Sequence, residues 1–131
     1  MLRASRVLLS ALRPIKASTG ITGLEPIADP LPALKSIYSS TLSTLSSLPS
    51  GSVYRQATEA LTKHRLEVIE TSNEDVLKVE SELGKIIELT IEEAKAEQAL
   101  VGKMIEWKSW ENLEQEPQPD QWKYFEPASD V

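Results

Sequence analysis

Between Leu34 and Ile105 apolar residues return every three or four positions, and this spacing is what most limits the folds open to the chain. Leu34, Ile37, Tyr38, Leu42, Leu45 and Leu48 form a first series, which Pro49-Ser50-Gly51 stops. Tyr54, Ala57, Leu61, His64 and Val68 make a second stripe. Val76, Val79 and Leu83 lead to Gly84, and Ile87, Ile91, Ala94, Val101 and Ile105 continue beyond it, flanked by Ile86, Gln98 and Met104. No segment alternates with the period of two that a half-buried strand needs, and no Asn-Gly hairpin signal occurs. The spacing therefore predicts an all-α chain: an up-down-up three-helix bundle with helices over 31–48, 52–70 and 74–108. A glycine costs about 1 kcal/mol inside a helix relative to alanine, so a break or kink is expected at Gly84.

Local signals agree with these boundaries. Asp29-Pro30 reads as a cap followed by proline at the first helical position, where a missing N–H costs nothing. Ser52 reads as the second cap, and Thr71-x-x-Glu74 has capping-box spacing for the third start. Residues 36–52 contain ten Ser or Thr, mediocre helix formers, so the first helix must lean on tertiary packing. The 131 residues suffice for one core and bury about two-thirds of their unfolded surface.

Charge is distributed unevenly. The chain carries 14 Lys+Arg and 20 Asp+Glu, a net charge of −6, which argues against a general nucleic-acid binder. Residues 1–24 hold Arg3, Arg6, Arg13 and Lys16 and no acid. On a helix Leu8, Leu9, Leu12 and Ile15 gather on one face, with Arg3, Arg6 and Arg13 roughly opposite; Lys16 breaks the pattern. An Arg-rich, acid-poor, amphipathic start reads as a mitochondrial targeting leader, which must adsorb on an anionic membrane and respond to its potential. The expected organisation is a leader over 1–18, an irregular segment over 19–30, the bundle over 31–108 and a C-terminal strap over 109–131. No apolar run approaches the roughly 20 residues of a membrane span.

The strap is the unusual part. Trp107, Trp110, Trp122, Tyr124 and Phe125 are five of only seven aromatic residues in the chain. Pro117 and Pro119 forbid a helix between the first two tryptophans and Trp122. Large rings on an irregular acidic segment must either fold back on the bundle or anchor a partner, as Trp and Tyr do at interface hot spots.

Little chemistry is on offer. With no Cys and His64 as the only histidine, thiolate zinc sites, Cys-ligated clusters and multi-histidine metal sites are excluded. His64-x-x-Glu67 is a single pair one turn apart, and His64 is best read as a partly buried helix residue. Glu88/Glu92 and Glu93/Glu97 share faces at i,i+4 and read as a solvated or partner-facing surface. No catalytic, cofactor-binding or metal-binding residue is assigned.

Three stretches carry a family resemblance. Thr19-Gly20-Ile21-Thr22-Gly23-Leu24 is the first, and Val53-Tyr54-Arg55-Gln56-Ala57-Thr58-Glu59 with Leu61-Thr62 and Leu66 the second. The third runs from Lys103 through Trp107-Lys108-Ser109-Trp110-Glu111 to Pro119-Asp120-Gln121-Trp122. Together they resemble the NADH dehydrogenase (ubiquinone) 1 alpha-subcomplex subunit 5 family, accessory subunits of mitochondrial respiratory complex I. The resemblance implies a non-catalytic subunit on the matrix side of the inner membrane, packed on core and accessory subunits of the peripheral arm and supporting its assembly and stability. The redox cofactors would then belong to the core subunits, and this chain would hold none. Tyr54, Arg55, Trp107, Trp110, Trp122, Tyr124 and Phe125 are the proposed partner-binding residues. The chain departs from the family in its longer basic leader, its Ser/Thr-rich first helix and residues 123–131. Two other readings stand beside this one: a transient assembly factor, and a small mitochondrial helical enzyme or ligand-binding protein using His64.

Overall fold

A computed structural model describes residues 16–119 and 121. Four α-helices and no strand occur among the described residues: α1 (Pro30–Leu45), α2 (Val53–Thr71), α3 (Val76–Leu83) and α4 (Ile87–Glu106). The leader up to residue 15, and Trp122, Tyr124 and Phe125, lie outside them. No described helix is long and apolar enough to cross a membrane.

The third helix, expected over 74–108 with a break or kink at Gly84, is divided there into two separate helices. Gly84 closes α3 in the left-handed region at φ +67, a conformation that costs other residues about 1–2 kcal/mol. The Lys85 N–H then bonds back to the Glu80 carbonyl, and the chain restarts as α4 three residues later. The start of α3 also differs from the Thr71 capping box. Thr71 remains helical, its hydroxyl bonding the Glu67 carbonyl at 2.9 Å, while Asn73 and Glu74 turn through positive φ. Asp75 becomes the cap, accepting from the N–H groups of Leu77 and Lys78. An aspartate placed after the turn outcompetes a threonine whose hydroxyl already has a backbone acceptor.

At the first helix, Pro30 takes the first position and Asp29 makes no side-chain cap bond. Pro30 and Pro32 between them remove two of the N–H groups a cap would satisfy. Ser52 caps α2 as its position suggests, accepting from the Arg55 N–H.

The core has two parts. Leu31, Leu34 and Tyr38 from the first half of α1 meet Ile87, Ile91 and Ala94 from the first half of α4, with Ile69 from the end of α2 and Val79 of α3. At the other end Leu45, Leu48 and Val101 pack with Leu42, Tyr54, Met104, Ile105 and Trp110. Early residues of α1 meet early residues of α4 and late meet late, so these two helices run parallel; α2 returns antiparallel to both. The α1–α4 contact is the most extensive in the fold. Gln98 of α4 adds a polar tie by donating to the Ser40 hydroxyl of α1 at 2.8 Å.

The inward face of α2 is a correction. The stripe through Ala57, Leu61 and His64 faces outward, whereas Thr58, Thr62 and Ile69 are buried. The two faces differ by one residue, about 100° of rotation. The Thr62 hydroxyl donates to the Thr58 carbonyl at 2.7 Å, so its polar atom is satisfied within the helix and its methyl packs inward. Thr41 of α1 and Thr90 of α4 do the same with the carbonyls of Ile37 and Ile86. Small, internally bonded threonines let the Ser/Thr-rich α1 pack closely despite its poor helix propensity.

Candidate functional site

Four of the seven proposed partner-binding residues are described, and all four sit at one end of the bundle, where α1 ends, α2 begins and α4 ends. A tight turn builds this end. Trp107 closes α4, Lys108 adopts φ +49, the Lys108 N–H bonds the Ile105 carbonyl, and the Ser109 N–H bonds that of Met104. This is a Schellman pattern with lysine where glycine is usual. It reverses the chain, so that Trp110 folds back onto the second core cluster while Trp107 stays 63% exposed. The two tryptophans therefore play different parts: Trp110 completes the subunit's own core, and Trp107 is a large apolar ring facing solvent.

Tyr54 and Arg55 serve the same end from α2. The Tyr54 hydroxyl donates to the Glu97 carboxylate of α4, tying together two helices that otherwise touch little. Arg55 donates to the Leu48 carbonyl, reaches the Ser46 carbonyl at 3.5 Å and pairs with Glu59 at 3.5 Å. Those carbonyls lie just past the end of α1, where acceptors lack helical partners and a cation is favoured. Every contact Arg55 shows is internal. Val53, 79% exposed at the start of α2, and Leu113, 75% exposed beyond Trp110, add apolar surface. Sequence spacing did not single out Val53 and Leu113, because Val53 is the first residue of α2 and Leu113 lies beyond the last helix, where helical periodicity carries no information.

Burial, then the Glu97 hydrogen bond and charge, push the Tyr54 pKa up to about 12. In the unfolded chain the phenol ionises near 10, so folding keeps a proton that the unfolded state loses between about pH 10 and 12. The Tyr54 contribution is thus fully present below pH 10 and lost as pH rises through 12. Tyrosinate absorbance of the wild-type chain minus that of Tyr54→Phe is expected to titrate with a midpoint near 12; a midpoint near 10 contradicts the Glu97 contact.

Between α2 and α4 lies an open groove of about 320 Å³ with Tyr38 and Thr41 at its floor. The Tyr38 hydroxyl is buried and meets no hydrogen-bond partner among the described residues. Burial raises its pKa, and the Arg65 charge nearby works in the opposite direction. His64 borders a separate shallow cleft of about 230 Å³ with Glu82, Lys85 and Glu93. Its side chain is exposed, as is that of Glu67, and neither is drawn into a buried pair.

The acidic pairs of α4 are not a uniformly solvated face. Glu88 is 1% exposed and pairs with Lys16 at 3.1 Å, Glu93 pairs with Lys85 at 2.5 Å, and Glu97 accepts from Tyr54. Only Glu92 matches the expectation, exposed and paired with Lys95 along its own helix.

Comparison with known proteins gives this geometry a context. The family described as the ETC complex I subunit conserved region matches residues 23–93. NADH dehydrogenase (ubiquinone) 1 alpha subcomplex subunit 5 of Bos taurus is 39% identical over 111 residues, 84% of this chain and 95% of the relative. The alpha subcomplex subunit MCI4 of Candida albicans is 43% identical over 109 residues, 82% of this chain and 78% of the relative. A probable mitochondrial subunit 5 of Arabidopsis thaliana is 40% identical over 100 residues, 76% of this chain and 59% of the relative. This chain, whose only regular elements among the described residues are helices and which is similar over most of its length to subunits from animal, fungus and plant, belongs to the NADH dehydrogenase (ubiquinone) 1 alpha subcomplex subunit 5 family of non-catalytic accessory subunits of respiratory complex I.

Proposed function

We propose that this chain docks on the matrix-side peripheral arm of complex I through the end of the bundle that carries Trp107, and that it supports assembly and stability of the arm rather than its chemistry. The observation that carries this reading is the pairing of an exposed Trp107 with a Trp110 that locks the turn beneath it. An exposed tryptophan on a rigid support loses little conformational freedom on binding and brings a large apolar area, which is what an interface hot spot requires. Arg55, held by the α1–α2 turn, acts by keeping that platform rigid. Residues 111–119 of the strap are exposed, and with Trp122, Tyr124 and Phe125 they extend the proposed contact. In this reading the basic leader delivers the chain to mitochondria, and the bundle reaches the inner membrane only through its complex.

Truncation after Leu113 is expected to leave a helical protein that fails to enter the complex in native separations of solubilised mitochondrial membranes. Normal incorporation of the truncated chain, which keeps Trp107 and Trp110, removes residues 114–131 from the proposed contact, and equal incorporation of Trp107→Ala overturns the proposal. His64→Ala serves as the control: full incorporation and respiration are expected, and loss of respiration in a fully incorporated variant would instead point to chemistry at the His64 cleft. Near-equal amounts of this chain and a core subunit in the complex distinguish a resident subunit from a transient assembly factor.

A further inference from the structure

We infer that Lys16 marks the inner limit of leader removal: the chain is cut on the N-terminal side of Lys16, and the lysine stays as the counterion of a carboxylate buried at the start of α4. The inference rests on the mitochondrial placement proposed above, and it is carried by three observations at the junction of α3 and α4.

The first is position. The basic, acid-free stretch reaches residue 24, so charge alone does not show where the leader ends. The amphipathic pattern does stop, because Lys16 falls off the face that Arg3, Arg6 and Arg13 share. The second is contact. The Lys16 ammonium lies 3.1 Å from Glu88, a side chain 1% exposed, and also bonds Glu80. Lys16 is itself only one-third exposed. Burial alone would depress its pKa, but the hydrogen bonds and charges of Glu80 and Glu88 outweigh this and raise it.

The third is what depends on the pair. The same Glu80 oxygen accepts from the Ile87 N–H at 2.9 Å, in the first turn of α4, where Ile86 at the cap offers no side-chain acceptor. Glu80 thus caps α4 from α3 and holds the bend at Gly84 closed. Among the described residues no other cation pairs with Glu80 or Glu88: the neighbouring Lys85 is engaged by Glu93, which also faces Arg65. Without Lys16 two carboxylates face each other, one of them excluded from water, and a buried charge without its partner is strongly destabilising. A cut after Lys16 would therefore open the α3–α4 bend. A cut before it removes Arg3, Arg6 and Arg13 and leaves this junction intact.

Two measurements test the inference, one of them independent of location. In purified protein, removal of residues 1–15 is expected to leave the melting temperature within about 2 °C of the full chain, while Lys16→Met lowers it by roughly 10 °C. Adding Glu88→Gln to Lys16→Met is expected to restore most of the loss, since no buried charge is then stranded. Equal melting of Lys16→Met and wild type, or no rescue by Glu88→Gln, overturns the structural part. Mass spectrometry of the chain isolated from mitochondria is expected to find a new N-terminus at or shortly before Lys16. A mature chain that begins at Ala17 or later, or that keeps residues 1–15, overturns the processing limit. Failure to find the chain in mitochondria at all counts against the proposed function and leaves the melting results to decide the role of Lys16.

Discussion

Leu34→Ala is expected to lower the unfolding free energy of the subunit by about 3 kcal/mol. Leu34 is completely buried among Leu31, Tyr38, Ile69, Ile87 and Ile91, where α1, α2 and α4 converge. Removing its methyl groups forfeits their transfer free energy and leaves a cavity that three helices cannot close without moving together. For a domain of this size the loss corresponds to a drop of roughly 10 °C or more in melting temperature. Leu77→Ala is the comparison: the same chemical change at a side chain 72% exposed on α3 is expected to stay within about 0.5 kcal/mol. Denaturant unfolding of the two variants checks both values. A cost below about 1 kcal/mol at Leu34 would mean that α1 and α4 are not packed as described.

The second large effect separates the two tryptophans. Trp110→Ala is expected to cost about 2 kcal/mol of stability, less than a fully buried tryptophan because its ring is only partly buried where it packs against the cluster of Leu45, Leu48 and Val101. Trp107→Ala is expected to leave stability within about 0.5 kcal/mol, since its ring faces solvent in the free subunit. On assembly the order is expected to reverse. As the proposed interface hot spot, Trp107 is expected to contribute about 2 kcal/mol or more, so that its loss weakens incorporation by roughly 30-fold. Competition of tagged variant and wild-type chains for the complex, read beside their melting curves, checks the pair. A Trp107→Ala chain that competes equally removes this end of the bundle as the docking face.

The sequence showed some parts of this molecule and hid others for a physical reason. Helix positions were legible because they are set within a few residues: the leucine spacing of α1, Ser52 at the cap of α2, and Gly84 where only a left-handed residue closes α3. The stop after Leu45 was less so, since Leu48 keeps the helical spacing yet packs from the turn beyond it. The inward face of α2 was misread because hydropathy ranks Leu61 above Thr62, and only the bond from Thr62 to its own helix reverses that order. Trp107 and Trp110 look equivalent on paper, three residues apart in one motif. A left-handed Lys108, which no propensity favours, sends one ring to the core and the other to solvent.

The sequence by itself therefore determined the class of the fold, helical segments joined by tight turns with an interruption at Gly84, and a family membership written in the motifs around Tyr54 and Trp107. Those features come from local periodicity, local capping and residue order, all readable along the chain. Tertiary structure alone decided the electrostatics. Glu88 reads as one of a row of surface acids, and Lys16 as the last charge of a basic leader, yet they meet across 72 positions of sequence. Glu97 finds Tyr54 at a separation of 43. A charge is assigned its role by what lies within a few ångströms of it, and which residues come that close is settled only when the helices pack.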